Sequence, residues 1–299
     1  MRIAIAGSSG LMGTELVTRL TAEGHEAVRL VRRPARTPHE ITWDPDAGGL
    51  PSEALADVDG VVNLAGAGVG DKRWTDAYKR LLVSSRVNTT NVLVDAMLAL
   101  GTPPPVLVNA SAQGFYGDRG EEVLTETSPP GEGFLTDLVM AWEEAARRAE
   151  TGSGGAVRVA TLRSGLVLSP HGGAFGRMLP LAKLGLGGPL GTGRQWWSWI
   201  TLADQVSAII HLLQHEVSGP VNVCTPHPAR QAEVAAALGR ALHRPALLPA
   251  PSFALRTVLG EFSTEVLGST RMTPEVLQRS GFAFAHPDLE TALPWLLAP

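Results

Sequence analysis

The chain has 299 residues, 44% of them hydrophobic, enough to bury one large α/β core with a small annex. A formal net charge of −4, with the two signs interspersed, gives no basic field for nucleic acid, and no run reaches the ~20 apolar residues that span a bilayer, so neither nucleic acid nor a membrane is an expected partner. Cys224 is the only cysteine and the eight histidines lack metal-ligand spacing, which excludes a disulfide and a metal site and reads as a cytoplasmic protein.

Short apolar runs alternate with longer segments of helical period, the pattern of βαβ units and a parallel sheet covered on both faces. Arg2 to Ala6 reads as a buried strand, and Leu11, Met12, Leu16, Val17 and Leu20 share one face of a helix that Gly24 ends. Strands are predicted at Ala27 to Val31 and Gly60 to Leu64. A long helical stretch from Arg73 to Leu100 leads to a fourth strand from Pro105, and a helix from Gly133 to Glu150 leads to a fifth over Arg158 to Leu168. The fold class is α/β, with a doubly wound parallel Rossmann-type sheet and a smaller substrate lobe within residues 1–250. That lobe is expected mainly from 170–200, where glycine and proline gather before a tryptophan-rich run, and from 220–250, with a strand near Val221. Pro245 to Pro251 marks a boundary, beyond which 251–299 reads as a small helical C-terminal domain packed on the lobe.

Gly7-Ser8-Ser9-Gly10-Leu11-Met12-Gly13 joins the first strand to the first helix. Gly7 and Gly10 permit a tight turn and close backbone approach, Gly13 lets helix pack on strand, and the helix N-terminus then faces a pyrophosphate. An NAD site would place a carboxylate at the end of the second strand to accept from the ribose 2′-hydroxyl. Here Arg32 and Arg33 stand there, and guanidinium groups clamp a 2′-phosphate, so NADP(H) is the expected cofactor.

These segments resemble the extended short-chain dehydrogenase/reductase superfamily, which includes the nucleoside-diphosphate-sugar epimerases. Asn63-Leu64-Ala65-Gly66 is similar to its NxAG element beneath the adenine and ribose, and Ser111-Ala112-Gln113-Gly114-Phe115-Tyr116-Gly117 to its serine segment. Leu162-Arg163-Ser164-Gly165-Leu166-Val167-Leu168 is similar to the run that closes over the nicotinamide. Trp142-Glu143, the run from Gly191 to Trp197 and the tail from Gly268 to Pro274 resemble an atypical subgroup ending in a helical domain of unknown function. The resemblance implies cofactor contacts from Leu64, Ala65, Gly66, Arg86, Ser111, Arg163 and Leu166, and a small-molecule substrate, a sugar nucleotide among the candidates. It says nothing of oligomeric state.

The superfamily's proton transfer needs a tyrosine with a lysine four residues on, so that the ammonium lowers the phenol pKa. Position 82 after Tyr78 is Leu82 and position 120 after Tyr116 is Gly120, and Gly133 to Glu143, where the pair should sit, holds neither residue type. Ser111 and Tyr116 are then the expected catalytic, substrate-facing groups, with Asp118 or Asp137 as a base. Glu143 reads as a helix-surface carboxylate or a structural ion-pair partner, and Trp196, Trp197 and Trp199 either pack or line a pocket. Two functions stay open: an NADP(H)-dependent oxidoreductase or epimerase-like enzyme, and a non-catalytic NADP(H) sensor.

Overall fold

A computed structural model of the chain describes residues 1–47 and 49–298. The first half alternates β1 (Arg2–Ala6), α1 (Leu11–Ala22), β2 (Glu26–Val31), β3 (Glu40–Thr42), β4 (Gly60–Asn63), α2 (Asp76–Leu98), β5 (Val106–Ala112), a short β6 (Val123–Leu124), α3 (Phe134–Gly152) and β7 (Arg158–Ser164). Then come β8 (Leu166–Leu168), α4 (Gly173–Lys183), β9 (Trp196–Trp197), β10 (Trp199–Thr201), α5 (Leu202–Gln214), β11 (Gly219–Val223), β12 (Ala229–Arg230) and α6 (Gln231–Ala241). The tail holds α7 (Ser252–Leu259), α8 (Ser263–Leu267), β13 (Arg271–Met272), α9 (Glu275–Arg279) and α10 (Leu289–Leu296).

Seven strands form one sheet in the order β11-β7-β5-β4-β1-β2-β3, and every neighbouring pair is parallel. The order reverses direction between β1 and β4, so the C-terminal ends of those strands frame the crevice in which doubly wound sheets take ligands. Buried Ile3, Ile5, Val62, Val108 and Leu162 pack one face against α1 and α5, and Ala4, Val61 and Leu107 pack the other against α2 and α3. No helix is long and apolar enough to cross a membrane among the described residues.

Three expectations are revised. The strand expected in the substrate lobe is β11, which closes one edge of the main sheet against β7. The fifth strand breaks at Gly165: its N–H donates to the carbonyl of Val223, and Leu166 to Leu168 leave the sheet to pair with β10. The strand β3 is only three residues long and follows a polar turn, which is why periodicity passes over it.

The C-terminal segment divides in two. Residues 252–267 bridge the lobe and the start of α2: α7 has no buried residue, Gln195 donates to the Val266 carbonyl, Phe262 packs against Trp74, and Glu261 pairs with Lys79. Residues 271–296 are threaded into the main body. β13 pairs with β6, Leu277 is fully buried in the same cluster as Ile3 and Val62, and Phe282, Phe284 and Trp295 pack against that cluster. The Asp204 carboxylate accepts the N–H groups of Ala285 and His286 at 2.8 and 2.9 Å, and Glu126 accepts those of Asn222 and Val276 at 3.2 and 3.0 Å.

Candidate functional site

The turn after β1 is shaped by two of its glycines. Gly7 has φ +78°, and a Cβ there would stand 2.6 Å from the carbonyl carbon of Leu64, while a Cβ on Gly13 would strike the Gly7 carbonyl. Gly10 differs: its φ is −75°, open to any residue, and a Cβ would meet only the Gly7 oxygen at 3.4 Å. The expectation that Gly10 serves the turn is corrected accordingly. The fold does not require glycine there, and the space it leaves lies at the α1 N-terminus, which has no side-chain cap and no acidic residue in its first turn. Uncapped N–H groups of Leu11, Met12 and Gly13 beside open space suit a phosphate. Ser9 is exposed, whereas Ser8 is buried and its hydroxyl accepts from Arg29 Nε at 3.3 Å.

The arginines past β2 do different things. Arg33 forms a bidentate pair with Glu40 at 2.7 and 2.8 Å, and the same carboxylate accepts the Arg36 N–H at 2.8 Å. The Arg33 hydrogen bonds, then the Arg36 N–H, hold the Glu40 pKa down at about 2. Arg33 is thus tied to β3, whereas Arg32 is exposed and forms no ion pair among the described residues.

Beneath the crevice, the Asn63 amide donates to Thr90 Oγ1 at 2.9 Å and Asn109 Oδ1 at 2.7 Å, and its oxygen accepts the Ala65 N–H at 3.2 Å. That fixes Leu64, Ala65 and Gly66 in the loop against Gly7. Arg86 rises from α2 beside Gly66, where a Cβ would sit 3.1 Å from its Cζ. It is buried, donates to the Leu82 carbonyl at 3.1 Å, lies 5.1 Å from the Trp142 ring and has no carboxylate partner among the described residues. Burial lowers its pKa to about 10, with Tyr78 pulling weakly the other way.

At the C-terminal ends of β5 and β7, Ser111 and Arg163 are register partners. The Ser111 hydroxyl donates to Glu143 Oε1 at 2.6 Å, and Arg163 grips both oxygens of that carboxylate at 2.9 and 2.8 Å. Burial works against the charge of Arg163, but the hydrogen bond and charge of Glu143 outweigh it and raise its pKa. Glu143, read from the sequence as a helix-surface carboxylate or a structural ion-pair partner, is the latter, and its pair with Arg163 brings it into the cluster at the sheet's C-terminal edge. The signal was available: it follows Leu135 and Val139 at four-residue spacing on the helix where the Tyr-Lys pair was sought.

Tyr116 is fully buried, its hydroxyl lying 2.7 Å from Asn222 Oδ1, 3.0 Å from the Thr125 carbonyl and 3.1 Å from Arg163 NH1. Burial pushes its pKa up to about 12 against the opposing pull of Arg163. The structure brings it to the back of Arg163, whose guanidinium also stacks 3.3 Å over the Phe115 ring. Asp118 accepts the Ser269 N–H and Asp137 is exposed at the start of α3, so neither joins the cluster. The Leu166 N–H is taken by the Ser198 carbonyl. Trp197 and Trp199 pack in small lobe cores, and Trp196 is flanked by Arg230 and Arg271 at 4.1 and 4.3 Å.

A model of the NAD dependent epimerase/dehydratase family matches residues 3–224, and a domain of unknown function, DUF1731, matches 250–296. Epimerase family protein Mb2239 of Mycobacterium bovis is 44% identical over 293 residues, covering 97% of this chain and 96% of the relative. The crystal structure of human epimerase family protein SDR39U1 (isoform 2) with NADPH superposes with a TM-score of 0.91 at 35% identity, covering 99% of both chains. The structure of MoeE5 with UDP-glucose and NAD, at 21% identity and a TM-score of 0.77 over 98% of this chain and 96% of that one, shares the fold.

Proposed function

The chain belongs to the NAD-dependent epimerase/dehydratase family, and from that premise we propose that it is an NADP(H)-dependent oxidoreductase in which Ser111 and Glu143 do the proton work usually given to tyrosine and lysine. The human relative solved with NADPH supports the cofactor assignment. The residues present fit that group: the open space at Gly10, the uncapped α1 N-terminus and Arg32, which has no ion pair among the described residues, would hold its phosphates, with Ala65, Gly66 and Arg86 beside them. When bound, the nicotinamide supplies hydride transfer to or from a substrate carbon.

The observation that carries the reading is the 2.6 Å hydrogen bond from Ser111 to a carboxylate fixed by Arg163 at the sheet's C-terminal edge. Glu143 Oε1 already accepts the Ser111 hydroxyl, so the serine proton has an acceptor in line. As a substrate alcohol becomes a carbonyl, its hydroxyl proton passes to Ser111 Oγ while the Ser111 proton moves to Glu143 Oε1. The reverse transfer serves carbonyl reduction. Tyr116 does not titrate in this scheme; it buttresses Arg163. The substrate is a small alcohol or carbonyl compound, with sugar nucleotides the first class to test.

Turnover of such a panel with NADP+ or NADPH is the test. Ser111→Ala leaves the Arg163 pair intact and is expected to lower kcat/KM at least ~10-fold, about 1.4 kcal/mol of transition-state stabilisation, with NADPH affinity unchanged. Glu143→Gln, which keeps the side-chain shape but removes the proton acceptor, is expected to do the same. Full activity in both variants would sink the relay. Tight NADPH binding with no turnover of any alcohol or carbonyl favours the sensor instead.

A further inference from the structure

Two stretches stand apart in charge. From His171 to Ala203 and from Val234 to Gly260 there is no aspartate or glutamate, whereas Arg177, Lys183, Arg194, Arg240, Arg244 and Arg256 fall within them, in a chain of net charge −4. The seven most exposed large apolar side chains among the described residues also lie there, led by Leu247 at 82%, Phe253 at 74% and Leu184 at 73%.

The two stretches run side by side. Arg244 Nε donates to the Lys183 carbonyl at 3.0 Å, Gly185 packs against Pro245, Gly188 against the Leu248 backbone, and Leu190 bridges to Ala250. Leu184, Leu186, Leu247 and Leu248 therefore form one projecting ridge, continued by Phe253 at the start of α7. Beside it is a hollow of about 450 Å³ whose lining includes Arg240, His243, Arg244 and Leu247. Neither arginine nor Lys183 has a carboxylate within ion-pair distance among the described residues.

We propose that this ridge docks on an anionic phospholipid surface, the leucines and Phe253 entering the acyl boundary while Arg240 and Arg244 take a lipid phosphate in the adjoining hollow. An apolar ridge rimmed by Lys183, Arg240 and Arg244, none of them ion-paired among the described residues although Glu233 and Glu290 line the hollow on the far side of Arg240, is the arrangement that lies in a bilayer interface without spanning it, so the lack of a spanning helix is no objection. A second copy of the chain fits poorly, because a twofold contact through this face opposes the same cations. An acidic protein partner is less suited, since interface anchors favour aromatic residues held in pockets over projecting leucines. The inference is independent of the chemistry at Ser111.

Flotation of the full chain with vesicles tests it. Vesicles of phosphatidylcholine with about one third phosphatidylglycerol are expected to bind at least ~10-fold more protein than phosphatidylcholine alone, and high salt to reduce the difference. The double variants L247D/L248D and R240E/R244E, and separately Leu184→Asp on the other stretch, are expected each to lose at least ~10-fold of that binding while staying folded, with Tm unchanged for the leucine variants, which break no hydrogen bond between the stretches. Should one variant unfold, the other two still decide. Equal binding to both vesicle types, or undiminished binding by the folded variants, overturns the proposal. So does sedimentation showing a dimer, or a complex with an acidic protein, that L247D/L248D dissolves while vesicles capture nothing.

Discussion

Gly7 and Gly13 are demanded by the fold and Gly10 is not, so the three glycines of one loop should respond differently to substitution. Gly13→Ala forces a Cβ into the Gly7 carbonyl and is expected to lower Tm, whereas Gly10→Val is expected to leave Tm nearly unchanged and abolish NADPH binding, a separation that thermal melts and calorimetry read directly. A Gly10→Val protein with normal affinity removes the loop from the cofactor site. At Tyr116, Phe is expected to cost about 1 to 3 kcal/mol in denaturant melts, by leaving Asn222 and Arg163 short of a partner in a dry site, while kcat of the folded variant stays within about threefold. The glycines were legible in the sequence because they sit at a strand-to-helix junction, where only a few backbone geometries fit. Burial of Tyr116 and the partners of Glu143 were not: Asn222 of β11 lies 106 positions from Tyr116 and Arg163 of β7 lies 20 positions from Glu143, so both pairings come from the strand order of the sheet, which periodicity does not encode.

The five inner strands and their helices could be read from apolar runs, but β3 and the fate of β11 could not, because a three-residue strand has no period and a strand's sheet is settled by tertiary pairing. The C-terminal helices show the same limit: a proline-rich stretch marks a boundary in composition, yet Leu277 and the Asp204 contacts to 285 and 286 stitch 271–296 into the sheet's packing. Leu277→Ala is therefore expected to destabilise by about 2 to 5 kcal/mol in denaturant unfolding, and a chain ended before residue 271 is expected not to fold. The short helix α8 adds a pH term. Burial raises the Glu265 pKa to about 7, so the folded state holds that proton more tightly than the unfolded chain. The contribution is fully present below the unfolded value of about 4.5 and is lost as pH rises through about 7. Glu265→Gln is expected to raise Tm at about pH 8 with little change at about pH 4, and an equal effect at both would contradict this origin.

For the whole molecule, the modest net charge concealed an uneven distribution: carboxylates are spread over much of the chain, while two long stretches have none. Totals cannot reveal which segments become neighbours, so the cationic ridge emerged only once 183–191 and 244–252 were seen side by side. Cofactor choice is the opposite case, since it rests on residues at one strand end. On the proposed reading one of the two arginines serves, since Arg33 is held by Glu40 while Arg32 is exposed and has no ion pair among the described residues. Isothermal calorimetry of NADPH and NADH against the wild type and Arg32→Ala tests the assignment. NADPH is expected to bind the wild type at least ~10-fold more tightly than NADH, the size of one charge-assisted contact, and Arg32→Ala to remove most of that preference while leaving NADH affinity intact. Equal affinity of the wild type for the two cofactors, or a preference that survives the loss of Arg32, would contradict it.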